Sequence, residues 1–158
     1  MLLTWILSVP NIALAESQVS IGVGLGSIYS GLGINVSLYE DNDIKYLSYG
    51  CFAVVTDTNG NRDSACGLGL GFLKAGILSK GNKHTVGLHL GAIAAARSLG
   101  KNGDGYGSLD TVYGIGVPYV FFPSGLSDKG FNVGITPSIG NYKGDTLRRL
   151  LLQIGYQF

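Results

Sequence analysis

Few residues in this chain are equipped for chemistry. Cys51 and Cys66 are its two cysteines, and His84 and His89 its two histidines. No C-x-x-C is present, so the thiols carry neither a metal nor a redox motif. The glycine runs Gly22-Val-Gly24-Leu-Gly26 and Gly67-Leu-Gly69-Leu-Gly71 lack a third glycine at the offset a dinucleotide turn requires, and no helical pattern follows them. Asn102-Gly-Asp-Gly-Tyr-Gly107 has the look of a calcium loop but no glutamate at its twelfth position. No catalytic residue, cofactor or metal site is expected. The net charge of +1, with only Arg148 and Arg149 adjacent, offers nothing to nucleic acid.

The elements that must position these residues read as strands. Charged residues make up 13% of the chain, about half the usual share, and glycine supplies 26 of 158 residues. Mean hydropathy is +0.29. Yet beyond the first fifteen residues no apolar run approaches the roughly 18 residues of a membrane helix. Instead, large aliphatic residues alternate with small ones. Val19, Ile21, Val23 and Leu25 share one face against Ser20, Gly22, Gly24 and Gly26, and Leu32, Ile34, Val36 and Leu38 oppose Gly33, Asn35 and Ser37. A third strand over about 44–56 is mixed and its facing is left open, and the same partition recurs over about 65–78, 84–99, 111–121, 131–140 and 146–158, separated by turns rich in Asp, Asn and Gly. Pro118 cannot donate to a ladder, so a bulge or bend is expected there. The fold class is all-β: a closed antiparallel up-and-down barrel of about eight strands, each long enough to cross a bilayer.

Sidedness follows from composition. A soluble barrel needs an outer face that is roughly a quarter to a third charged, and the glycine-rich face cannot supply it. With that face inward and the aliphatics toward lipid, both make sense, because an eight-stranded barrel has little internal room. Strand parity then sends His89, Arg97, Arg149 and Gln153 into the lumen, where they could form a polar network with Gln18, Asn35, Tyr39 or Gln157. That network is expected to plug the interior; a gate or polar ligand site is the other reading. His84 falls in a turn and is expected to be solvated. Tyr119, Phe121, Phe131, Tyr156 and Phe158 gather at the end that holds both termini, as aromatics do at a membrane interface.

Residues 1–15 read as an export signal, with an apolar stretch and the small-residue site Ala13-Leu14-Ala15, although no Lys or Arg precedes it. Residues 16–158 would then form the barrel in an oxidising compartment. If Asp57–Gly60 closes its hairpin, Cys51 and Cys66 stand opposite one another, and a disulfide is expected; the alternative is two free buried thiols.

The final stretch, Leu150-Leu-Leu-Gln-Ile-Gly-Tyr-Gln-Phe158, has a terminal Phe, an aromatic two places before it and apolar residues at alternate positions upstream. It resembles the C-terminal assembly signal of Gram-negative outer-membrane barrels, and the ending is similar to that of Ail/OmpX-like and OmpA-like proteins. The resemblance implies that Leu152, Ile154, Tyr156 and Phe158 are read by the barrel-assembly machinery, and that outer-membrane lipid and lipopolysaccharide surround the product. It implies an outer-membrane protein with a structural, protective or surface-interaction role rather than an enzyme. Lipid A deacylases of this architecture carry His-x-Ser, but Val86 and Gly91 stand at the corresponding places here. A palmitoyltransferase would need a histidine in an outer loop. A narrow channel and a lipid-modifying enzyme remain the competing expectations, with a soluble lipocalin-like barrel behind them.

Overall fold

The computed structural model describes residues 18–56, 60–98 and 108–158. The expected export signal, 1–15, and the tips of two expected loops lie outside these residues. The strands are β1 (Gln18–Gly26), β2 (Gly31–Glu40), β3 (Asp43–Thr56), β4 (Arg62–Ala75), β5 (His84–Arg97), β6 (Leu109–Gly116), β7 (Tyr119–Phe121), β8 (Gly130–Tyr142) and β9 (Asp145–Gln157). Every pairing is antiparallel. β1 joins β2 on one side and β9 on the other, and a β4–β5 ladder completes the ring.

β6 and β7 occupy one position in that ring, since both pair with β5 and with β8. The break between them is the one expected at Pro118. Gly87 N–H donates to Pro118 O and Val117 N–H to Pro137 O, each at 3.0 Å, so the register runs through without a bulge. Eight positions therefore close an all-β up-and-down ring. The near end carries Gln18 and Gln157; the far end carries the β1–β2, β3–β4, β5–β6 and β8–β9 turns. The last of these is the two-residue turn Lys143–Gly144, with positive φ at both residues. That geometry matches the right-handed twist of the strands it joins.

The two faces divide as the alternation dictates. Val19, Ile21, Val23 and Leu25 on β1, Leu68, Leu70 and Phe72 on β4, and Val133, Ile135 and Ile139 on β8 are all exposed on the outside. Inside lie Ser20, Asn35, Ser37, Ser48, His89, Asn132, Thr136, Gln153 and Gln157, all buried. An apolar cluster fills the near half, including Tyr39, Ile44, Tyr46, Leu73, Phe122 and Leu126. Phe122 and Leu126 come from the β7–β8 connection, which closes over that end. A second cluster of Ile93, Ala94 and Val112, backed by Tyr142, Leu147 and Leu151, fills the far half.

Two β-bulges change what parity predicts. An extra residue at Phe52 shifts the β3–β4 register after Cys51, and another at Ile93 shifts the β5–β6 register after Ala92. One inserted residue turns every later side chain to the opposite face. Arg97 is the casualty: it is exposed on the outside, paired with Leu109, and not in the lumen.

Candidate functional site

The interior is organised around a feature that the alternation did not foretell. After Gly26 the chain does not continue upward but makes a turn of 3₁₀ helix, Ser27–Tyr29, that folds into the barrel and leaves through Ser30 in the left-handed conformation. Ser27, Ile28, Tyr29 and Ser30 are all buried.

Glycine makes room for this turn. Gly155, Gly24, Gly33, Gly50 and Gly67 pair successively across β9, β1, β2, β3 and β4, forming one transverse row. Tyr29 lies on the first four. A methyl group on Gly155 would stand 2.2 Å from Tyr29 Oη, and one on Gly24 would stand 2.5 Å from its Cε2. On Gly33 or Gly50 it would meet Tyr29 O at 2.3 Å. Real carbon atoms do not approach so closely, so the ring and its carbonyl rest on bare backbone.

Buried polar groups satisfy one another around the turn, as low-dielectric surroundings require. Asn132 Nδ2 donates to Tyr29 Oη at 2.7 Å, and Gln153 Nε2 to Asn132 Oδ1 at 3.4 Å. Ser27 Oγ and Thr136 Oγ1 are 2.7 Å apart. Asn35 Nδ2 donates to Ile28 O at 3.1 Å and Asn35 Oδ1 accepts from Gln157 Nε2 at 3.2 Å, while Ser20 Oγ donates to Gln157 Oε1 at 3.1 Å. His89 stands apart from this group. Its Nε2 lies 3.3 Å from Ala92 O, which can only accept, and its Nδ1 lies 3.0 Å from Tyr46 Oη. A neutral ring donates through Nε2 and accepts at Nδ1, which leaves neither nitrogen free to act as a base.

Of the four lumen residues expected from parity, His89 and Gln153 are buried inside and belong to separate hydrogen-bond groups. Arg149 keeps its inward parity but is exposed at the far mouth, and Arg97 is outside. Gln18 is exposed rather than internal, and Tyr39 packs in the near-half apolar cluster. His84 is not simply solvated. Its Nδ1 is 2.8 Å from Tyr119 Oη, and its ring lies 4.8 Å from that of Phe121. Tyr156 meets Phe131 and Phe158 edge-on at 5.1 and 4.9 Å, so the expected aromatics gather at the near end. Leu152, Ile154, Tyr156 and Phe158 lie along the outer face of the last strand. Cys51 and Cys66 are directly paired and joined by a disulfide, with Cα atoms 3.8 Å apart, immediately before the Phe52 bulge.

No family model matches the chain, and neither does any curated protein. Among solved structures it is similar to an outer membrane protein. That is the Ail protein of Yersinia pestis in a phospholipid bilayer nanodisc, at 13% identity over 90% of this chain and 100% of that one, with a TM-score of 0.37.

The residues that sequence reasoning missed are Tyr29 with its hydrogen-bond partner Asn132, and the Ser27–Thr136 pair beside them. A signal for them did exist. β1 and β2 have 9 and 10 residues against 13 or 14 in β3, β4, β5, β8 and β9. Glycines bracket the Ser-Ile-Tyr-Ser between the two short strands.

Proposed function

We propose that this chain is an integral outer-membrane barrel, exported and inserted by way of its C-terminal strand, that acts as a closed, non-enzymatic surface protein. One observation carries the reading: its hydrocarbon faces outward. Exposed Val, Ile and Leu side chains ring the strands, while Asn, Gln, Ser and Thr are sealed inside. In water this arrangement would leave a continuous apolar band far larger than soluble proteins tolerate. In lipid it is the expected one, because a closed ring satisfies its backbone internally and meets acyl chains with aliphatics. The aromatic group at the near end suits the periplasmic interface, and the far-end turns would then face outward from the cell.

A passive channel finds no support in the interior. Tyr29, Phe122, Ile93 and Leu126 fill it from different elements, and all are buried. A structural, protective or surface-interaction role suits a sealed barrel whose outward turns are short. The test is membrane fractionation followed by gel migration. The folded barrel should run differently before and after boiling, and in planar bilayers it should carry no ohmic current. Release by osmotic shock, or identical migration with and without boiling, would refute the reading.

A further inference from the structure

The inward turn leaves a gap in the wall. β1 and β2 end at the Gly26–Gly31 pair, whereas β9 continues upward through Leu152 to Asp145, and β3 continues past Cys51 to Thr56. The β1–β9 ladder runs from Gly22–Gln157 to Leu25–Ile154 and stops, and the β2–β3 ladder stops at Leu32–Cys51. Above those points the backbone of β9 is paired only with β8, and that of β3 only with β4, among the described residues. Phe158 N–H donates to Ile21 O. By the alternation of an antiparallel ladder, the N–H and C=O of Leu152, Leu150 and Arg148 point the same way, into the gap. Two strands bridge β9 and β3 lower down, so the notch is about three strand spacings wide, roughly 14 Å.

The side chains record the missing neighbours. Ile21, Val23, Ile34 and Val36, within complete wall, are 42–53% exposed; Leu32, Leu150 and Leu152, bordering the notch, are 69%, 63% and 70% exposed. Beside the leucines Arg148 and Arg149 are both exposed, and neither meets a carboxylate among the described residues.

We propose that this notch is a docking site for an extended polypeptide segment, which adds as a strand to the free edge of β9. Acyl chains cannot bond a row of N–H and C=O groups at strand spacing; another backbone can. The fitting segment alternates apolar residues, which cover Leu150 and Leu152 on the outer face, with carboxylates on the inner face that meet Arg149. The proposal rests on the reading of the chain as an outer-membrane barrel, which places the notch at the outer edge of the bilayer.

The test uses the full chain in phospholipid nanodiscs and a fluorescein-labelled octapeptide of alternating valine and glutamate, followed by fluorescence anisotropy. Leu150→Pro removes one N–H from the notch edge. It spares the β8–β9 ladder, because Leu150 stands opposite Pro137 with its N–H turned away from β8. Saturable binding that weakens at least tenfold in Leu150→Pro and severalfold in Arg149→Glu is expected. A second arm uses the same peptide N-methylated along one edge, which blocks pairing without touching the protein and should abolish binding. No binding to the heat-modifiable wild-type barrel, or equal binding of the methylated peptide, would overturn the proposal. Since folding is checked on the same samples, loss of insertion would instead count against the membrane reading.

Discussion

Replacing Gly155 with alanine tests whether the tyrosine plug is as tightly fitted as the structure shows. The new methyl group would stand 2.2 Å from Tyr29 Oη and 2.4 Å from both Cε2 and Cζ, while Gly24 backs the ring from the neighbouring strand. Two responses are open. The interior can absorb the overpacking, at about 1–3 kcal/mol. Alternatively the ring can swing away, breaking its 2.7 Å bond to Asn132 and stranding a buried amide, at about 1–3 kcal/mol. Either route costs about 2 kcal/mol. Tyr29→Ala removes the ring outright, and by comparison with other buried aromatics should cost about 4 kcal/mol. The informative variant is the double one. With the ring gone the methyl group has nothing to strike, so the pair should cost about 4 kcal/mol rather than the additive 6, a coupling of about 2 kcal/mol. Urea titration in detergent micelles, read as the fraction of folded barrel on unboiled gels, measures all three. A Gly155→Ala barrel within about 0.5 kcal/mol of wild type, or an additive double variant, would show that Tyr29 does not occupy this slot.

The remaining predictions concern the wall. Replacing both Cys51 and Cys66 with serine opens a cross-link between residues 15 apart, for which chain entropy gives an upper bound of about 3 kcal/mol; limited proteolysis should then cut the β3–β4 tip first, and an unchanged digest would contradict a clamping role. Spin labels at Val23 and Ile135 should be reached by oxygen dissolved in the bilayer, whereas a label at Arg97 should be reached by an aqueous nickel complex; a label at Arg97 shielded from both would restore it to the lumen. Deleting Phe158 should cut the yield of heat-modifiable barrel in cells severalfold while leaving detergent refolding of the purified chain intact, and an undiminished cellular yield would remove the C-terminal strand's role as an assembly signal.

Alternation carried most of the fold because each strand has one lipid-suited face and one small or polar face. The start and end of β1 can be read directly from Gln18 and Gly26. The opposition of Cys51 and Cys66 was legible too, since it depends only on where the β3–β4 turn falls. What hid the rest is the nature of a bulge. Phe52 and Ile93 each add one residue without altering the local composition, so parity counted past Ile93 sends Arg97 to the wrong face. His84 was misjudged for a related reason: a residue at the start of β5 looks like part of the turn until Tyr119 and Phe121 are set beside it by pairing across the barrel.

The glycine-rich face was legible as an inner surface, but its purpose was not, because a row across a sheet becomes visible only when register is known. Gly155, Gly24, Gly33, Gly50 and Gly67 are scattered in sequence and contiguous in space. A glycine lining suggests a smooth conduit when the strands are considered one at a time. Assembled, the row is a trough, and Tyr29 lies in it. The same inward turn that fills the lumen shortens β1 and β2, so the sealed interior and the notch in the wall have one cause. A chain that extended β1 and β2 to the length of β9 would lose the notch, but it would also pull Tyr29 out of its trough and take from Asn132 Nδ2 its acceptor. Closure of the pore and openness of the β9 edge are therefore linked by a single turn of four residues, Ser27 to Ser30.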